Sequence, residues 1–135
     1  MTRPEYADHT DKMGRTELHY AALEGRIGDL ERLIAAGHDV SARDKTRMTP
    51  LHFACQQGQT EVAKKLLDAG AEVDPKDASG STPLWKAVFA FRGDGELIRM
   101  LLDSGANADS VNDAGKSPRD MVLAFGKPGL RELFG

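Results

Sequence analysis

The sequence predicts an all-α repeat protein, a solenoid of stacked helix-turn-helix units. A six-residue string recurs at a fixed step: Thr16-Glu17-Leu18-His19-Tyr20-Ala21, Thr49-Pro50-Leu51-His52-Phe53-Ala54 and Thr82-Pro83-Leu84-Trp85-Lys86-Ala87 start 33 residues apart. Asp11, Asp44 and Asp77 keep that step, as do the apolar pairs Leu33-Ile34 and Leu66-Leu67 and the glycines Gly37 and Gly70. Each string opens on a helix-start signal and is followed by glycine at helix-stop positions, so every unit reads as two short helices.

The elements follow in order. Residues 1–10 form an N-terminal tail or cap, mostly polar, expected to shield the first unit. In the first repeat, 11–43, the Thr16 hydroxyl can accept from the unpaired amides of a helix start, and the charge of Glu17 favours the positive helix end. Gly25 then breaks the chain after about two turns, and Gly37 suits a left-handed cap closing the second helix. The second repeat, 44–76, repeats this with Thr49, Gly58 and Gly70, and places Pro50 at the first helical position, where its fixed φ helps and its missing N–H costs nothing.

In the third repeat, 77–111, Thr82 and Pro83 arrive on schedule, but Leu101-Leu102 and Gly105 stand 35 residues after their counterparts. The two extra residues fall in Arg92-Gly93-Asp94-Gly95, which reads as a lengthened turn between the two helices. Residues 112–135 form a degenerate capping repeat. Asn112, Gly115, Ser117 and Pro118 keep the pattern, Arg119 and Asp120 replace Leu and His, and Met121, Val122, Leu130, Leu133 and Phe134 are expected to close the end of the stack.

The core follows from the same phases. Ala21, Ala54 and Ala87 are small enough for neighbouring helices to approach closely. Leu18, Leu51 and Leu84 join Leu33, Leu66 and Leu101 in a stripe shared by adjacent units, each side chain contributing about 1.5–3 kcal/mol when buried. One unit cannot bury its stripe alone, so about three are needed for stability.

These phased residues resemble the ankyrin repeat, whose period is 33 and whose signature is Thr-Pro-Leu-His-x-Ala. The resemblance runs from Asp11 to Asn112 as three repeats, with the fourth unit as a cap. It implies an ankyrin solenoid with short β-hairpin fingers between the helix pairs, and a protein that binds another protein instead of catalysing a reaction. It also implies that a partner is gripped by the fingers and by the inner face of the first helix of each pair. By repeat phase the finger positions are Lys12, Met13 and Arg15; Arg43, Lys45, Thr46, Arg47 and Met48; Lys76, Ala78, Ser79 and Ser81; then Asp113 and Lys116. The inner-helix positions are Leu23 and Glu24, Gln56 and Gln57, and Phe89 and Ala90.

Seven of the 18 basic residues (Lys12, Arg15, Arg43, Lys45, Arg47, Lys76 and Lys116) fall on these fingers, although the chain carries a net charge of −3. A partner with an acidic surface is therefore expected. Met13, Leu23, Met48, Phe89 and Phe91 read as an apolar strip on the same side, and Trp85 replaces the signature histidine. Arg47 stands where Gly14, Gly80 and Gly115 stand in the other fingers, so the second turn should depart from the rest. A free-standing chain of this size resembles the small bacterial ankyrin proteins that act as inhibitors, among them immunity proteins and antitoxins. An adaptor or scaffold tethering larger proteins is the alternative within the binding class.

Other classes find less support. A pI near 5.8 points away from nucleic acid. No stretch has the ~18 apolar residues of a membrane span, and Met1 to Lys12 lacks the apolar core of a secretory signal. The single cysteine, Cys55, cannot form an internal disulfide, so a cytoplasmic protein, monomeric when free, is expected. An enzyme or metal-binding protein would have to centre on His19, His52 and Cys55. The two histidines belong to the repeat signature and read as structural. His52 and Cys55 supply two ligands where a structural zinc wants four, so no metal or other cofactor is expected. Arg92-Gly93-Asp94 matches an adhesion tripeptide only by its three letters, and the phosphate-loop pattern is absent.

Overall fold

The computed structural model describes residues 10–93 and 95–134, so the expected N-terminal cap lies outside them except for Thr10. Among these residues eight helices follow in pairs: α1 (Glu17–Glu24) with α2 (Ile27–Ala35), α3 (Pro50–Gln56) with α4 (Thr60–Asp68), α5 (Pro83–Phe89) with α6 (Glu96–Asp103), and α7 (Pro118–Phe125) with α8 (Leu130–Leu133). The first helices stack in one row, α1 on α3, α3 on α5 and α5 on α7, while α2 meets α4 and α4 meets α6 in a second row. The result is the all-α repeat that the 33-residue period predicts.

Local chemistry sets the helix ends. Thr16, Thr49, Thr82 and Ser117 sit in extended backbone, and each side-chain oxygen accepts from the amide three residues on. Gly25 closes α1 with φ +70°, a conformation that costs a residue with a Cβ about 1–2 kcal/mol. Between the rows, Leu18, Leu51, Leu84, Leu66, Leu101 and Leu33 are buried, as are Ala21, Ala54 and Ala87. At the C-terminal end Val122 and Leu130 are buried, with Met121, Leu133 and Phe134 packed partly against the core.

The connections differ from the expected β-hairpins: no strand occurs among the described residues, and each finger is a tight turn. The periodic acid explains how it closes. Asp44 Oδ1 accepts from the amides of Thr46 and Met48, Asp77 Oδ1 from those of Ser79 and Ser81, and Asp11 Oδ1 from those of Met13 and Arg15. Asn112 does the same with Ala114 and Lys116. Burial opposes ionisation of Asp44, but the bonds from Thr46 and Met48 outweigh it and hold the carboxyl below its ordinary range. Successive turns are joined tip to tip by backbone bonds, Lys45 N–H to Met13 O at 2.7 Å, Ala78 N–H to Thr46 O at 2.8 Å and Asp113 N–H to Ser79 O at 2.9 Å.

The signature histidines join one unit to the next. His52 Nδ1 accepts from the Thr49 amide at 3.0 Å, and Nε2 donates to Ser81 O, in the following finger, at 2.9 Å. His19 makes the same pair of bonds with Thr16 and Met48 O. One nitrogen accepts an N–H and the other faces a carbonyl, so only the neutral Nε2–H tautomer satisfies both. A second proton would point Nδ1–H at an amide N–H. Burial lowers the His52 pKa to about 4, and it lowers that of His19 too.

Folding stability should therefore depend on pH well above the carboxylate range. Above pH 6.5 the rings are neutral in both states. As pH falls from 6.5 towards 4 the unfolded chain takes up the proton that folded His52 refuses, and stability drops by up to about 3 kcal/mol from this residue. Urea midpoints measured from pH 7 down to 4.5 should show that slope, and His52→Gln should reduce it, with His19→Gln reducing it further. A slope identical to wild type in the double variant would contradict the assignment.

Candidate protein-binding face

The finger tips divide the basic residues into two sets. Arg15 is committed inward, with Nε 3.4 Å from Asp44 Oδ2 and its guanidinium 5.2 Å from the centre of the Phe53 ring. Arg43 reaches Lys76 O and Glu72, and Lys76 donates to Val111 O, so both brace one loop against the next. Lys12, Lys45, Arg47 and Lys116 are exposed, and their side chains bond nothing among the described residues. Two exposed acids, Asp11 and Asp113, stand on the fingers with them, and Asp11 is held by the amides of its own turn.

Two expected contact residues are interior. Met48 is only 9% exposed, because its amide is tied to Asp44 and its carbonyl to His19, which draws the residue under the finger. Ser81, at 3%, holds the equivalent position against Asp77 and His52. Ser79 is exposed, with its hydroxyl donating to Asp77 Oδ1. The continuous apolar strip therefore does not form. Met13 stays at the surface, 39% exposed, Leu23 is half-buried, and Phe91 turns into the core.

What stands out is an aromatic shelf on α5. Phe89 is 59% exposed and stacks on half-buried Trp85, the ring centres 5.5 Å apart and the planes 13° from parallel. Phe125, from α7, meets its edge at 5.8 Å, and the Lys127 ammonium lies 5.0 Å from the centre of the Phe125 ring. Gln56 and Gln57 are exposed at the end of neighbouring α3. The i,i+4 spacing of Trp85 and Phe89 places them on one helix face. Phe125 and Lys127 gave no such signal, since only the α5–α7 packing brings them there.

Trp85 also ends the histidine series. Its amide is capped by Thr82 as expected, but its indole Nε1 is buried without a hydrogen-bond partner, where His19 and His52 each reach the next finger. In the last unit Asp120 keeps the local half of the motif, accepting from the Ser117 amide.

A model of ankyrin repeats in three copies matches residues 18–112. The chain belongs to the ankyrin-repeat family. No curated protein matches it. Ankyrin repeats are generally protein–protein interaction modules, typically without enzymatic activity. The signature histidines of this ankyrin stack are placed accordingly: both nitrogens of His52 are spent on hydrogen bonds. Burial pushes the Cys55 thiol well above its ordinary pKa, away from the thiolate that a metal or a substrate needs. No group of three or more potential metal ligands occurs among the described residues, and no helix among them is long and apolar enough to cross a membrane.

Arg47 is the one strained finger residue. It takes φ +64°, where Gly14, Gly80 and Gly115 take +75°, +80° and +76°, and it is the only positive-φ residue other than glycine among those described. Holding an arginine there costs about 1–2 kcal/mol, and such strain tends to persist where the side chain has a use. Arg47→Gly should raise the unfolding free energy by about 1 kcal/mol, read by urea denaturation at pH 7. An unchanged or lower stability would mean that the side chain repays its strain within the fold.

Proposed function

We propose that this ankyrin protein holds a partner protein on the face made by its finger tips and the exposed side of α3 and α5, with Phe89 as the apolar anchor. The observation that carries the reading is Phe89, a large aromatic ring left 59% exposed on a well-packed helix and backed by Trp85 and Phe125. Aromatic side chains of this kind dominate the energetics of interfaces because they bury a large area at little entropic cost. At the finger-tip end of this face Lys12, Lys45, Arg47 and Lys116 are exposed and make no salt bridge among the described residues, so a complementary surface is acidic. Met13, Ser79, Gln56 and Gln57 are exposed positions that would complete the contact.

Binding of this kind acts by occupancy: the partner's own surface is covered, as an inhibitor or immunity protein covers its target. The chemistry of the chain suits the cytoplasm, where its one thiol, Cys55, stays reduced, and the free chain is a monomer in this reading.

Affinity capture from native cells, followed by mass spectrometry, identifies the partner, and the purified pair then tests the face. Phe89→Glu should weaken binding about a hundredfold or more while the helical circular-dichroism melt stays within a few degrees of wild type. Lys45→Glu with Arg47→Glu should slow association and flatten its dependence on salt, with a smaller effect on dissociation. Affinity within about threefold of wild type in Phe89→Glu would place the interface elsewhere.

A further inference from the structure

Three gaps separate the four helix pairs on the edge away from the fingers, and the ends of the first helices can be compared across them. Leu23, Gln56 and Phe89 hold the same position, each seven residues after its capping threonine. In the first gap Gln59, from the second pair, lies over Gly25 and donates through Nε2 to Leu23 O at 3.4 Å. In the third, Lys127 donates through Nζ to Phe89 O at 3.3 Å and Phe91 O at 3.0 Å. Gln59 and Lys127 are in phase, each ten residues after its cap, Thr49 or Ser117. Both are long side chains from the following unit that cross the gap and satisfy the end of a helix.

The middle gap has no such side chain. None among the described residues donates to Gln56 O, and the space over Gly58, the counterpart of Gly25, is empty to 4 Å. Arg92, ten residues after Thr82, is the residue in phase with Gln59 and Lys127, yet it is exposed and bonds nothing among the described residues. Counted back from the next helix, the position is Gly95, which precedes α6 as Gln59 precedes α4 and has no side chain to cross the gap. What remains is a cleft of about 440 Å³, floored by Phe91, Leu97, Ile98 and Ala87 and rimmed by Gln56 and Arg92.

We infer that this cleft receives a side-chain carboxamide, such as glutamine or asparagine, presented by the partner held on the adjoining face. The chemistry selects it. The backbone carbonyl at the end of α3 asks for a donor, as its counterparts in the flanking gaps do. An ammonium would satisfy the carbonyl but meet the Arg92 guanidinium at the rim. A carboxylate would pair with Arg92 but face the carbonyl. A carboxamide offers N–H to Gln56 O and C=O to Arg92, while its methylenes cover the apolar floor. The cleft adjoins Phe89 through Ala90, so the inference rests on the proposed binding face and names one residue type that its partner places there.

The test needs no partner, so its outcome is separate from that of the capture experiment. Full-length protein labelled with nitrogen-15 is titrated with three blocked amino acids of matched backbone: N-acetyl-glutamine methylamide, the glutamate analogue and the lysine analogue. The glutamine probe should saturate below about 50 mM, as expected for so small a ligand, with amide shifts centred on Gly58, Ala90 and Phe91. It should bind about fivefold or more tighter than the other two, the scale of one hydrogen bond. Ala90→Leu, which fills the cleft, should abolish the shifts, and Arg92→Ala should weaken the probe about fivefold while leaving the melt unchanged. Equal binding of the three probes, tighter binding of the glutamate or lysine probe, no saturation, or shifts centred away from the cleft would overturn the inference. Insensitivity of the probe to Arg92→Ala would overturn it as well.

Discussion

The stack depends on one bond made between units: the imidazole of a capped helix donating to the carbonyl that ends the next finger. His19 and His52 each tie a local motif, the threonine cap, to a distant one, the aspartate-closed turn. The bond is buried, so it is not traded for water, and it sets where each finger sits over the helix before it. The tip-to-tip backbone bonds and the shared leucine stripe reinforce that placement and carry on past it, the bond from Asp113 to Ser79 forming at the junction that has no histidine. The same geometry makes the neutral ring obligatory, which turns a structural device into a source of pH dependence.

The irregular features gather where this relay stops. Trp85 brings an indole to the third position, too large and differently shaped to reach the next finger, and its N–H is left buried without a partner. Its ring supports Phe89 instead and so helps to keep a large aromatic at the surface. Two residues after Phe89, just before the insertion, Phe91 turns inward, and the middle gap loses the cross-gap donor that its neighbours keep. Exposed aromatic, strained finger and open cleft all lie within the second and third units, at Arg47, Trp85 and the insertion, where single positions break a repeat that is otherwise kept. Such local exceptions are where function is expected in a scaffold whose remaining residues agree with one another.

The charge pattern has a related origin. The finger acids are spent on backbone amides, which is why Asp44 and Asp77 are buried and stay ionised below the usual carboxylate range although burial alone would push the other way. The acids of the outer helices are largely paired, Glu31 with Lys65 and Asp68 with Lys64 among them. A chain of net charge −3 can thus present, at its finger tips, exposed cations that make no salt bridge among the described residues.

By itself the sequence determined the period, the helix starts and stops, the core leucines and alanines and the place of the insertion. Each of these is set by a residue's own chemistry or by a neighbour within one turn. It also marked Arg47 as anomalous and Phe89 as an apolar residue on an outward phase. Tertiary structure decided the rest. Met48 and Ser81 occupy finger phases but are interior, because the preceding unit's histidine claims their carbonyls. Arg15 and Arg43 are basic finger residues but brace the fold, because partners 29 residues away in each case, Asp44 and Glu72, are within reach. The shelf around Phe89 and the cleft beside it arise from contacts between units more than 30 residues apart, and whether a side chain protrudes or packs there depends on which neighbour reaches it first. No local pattern encodes that.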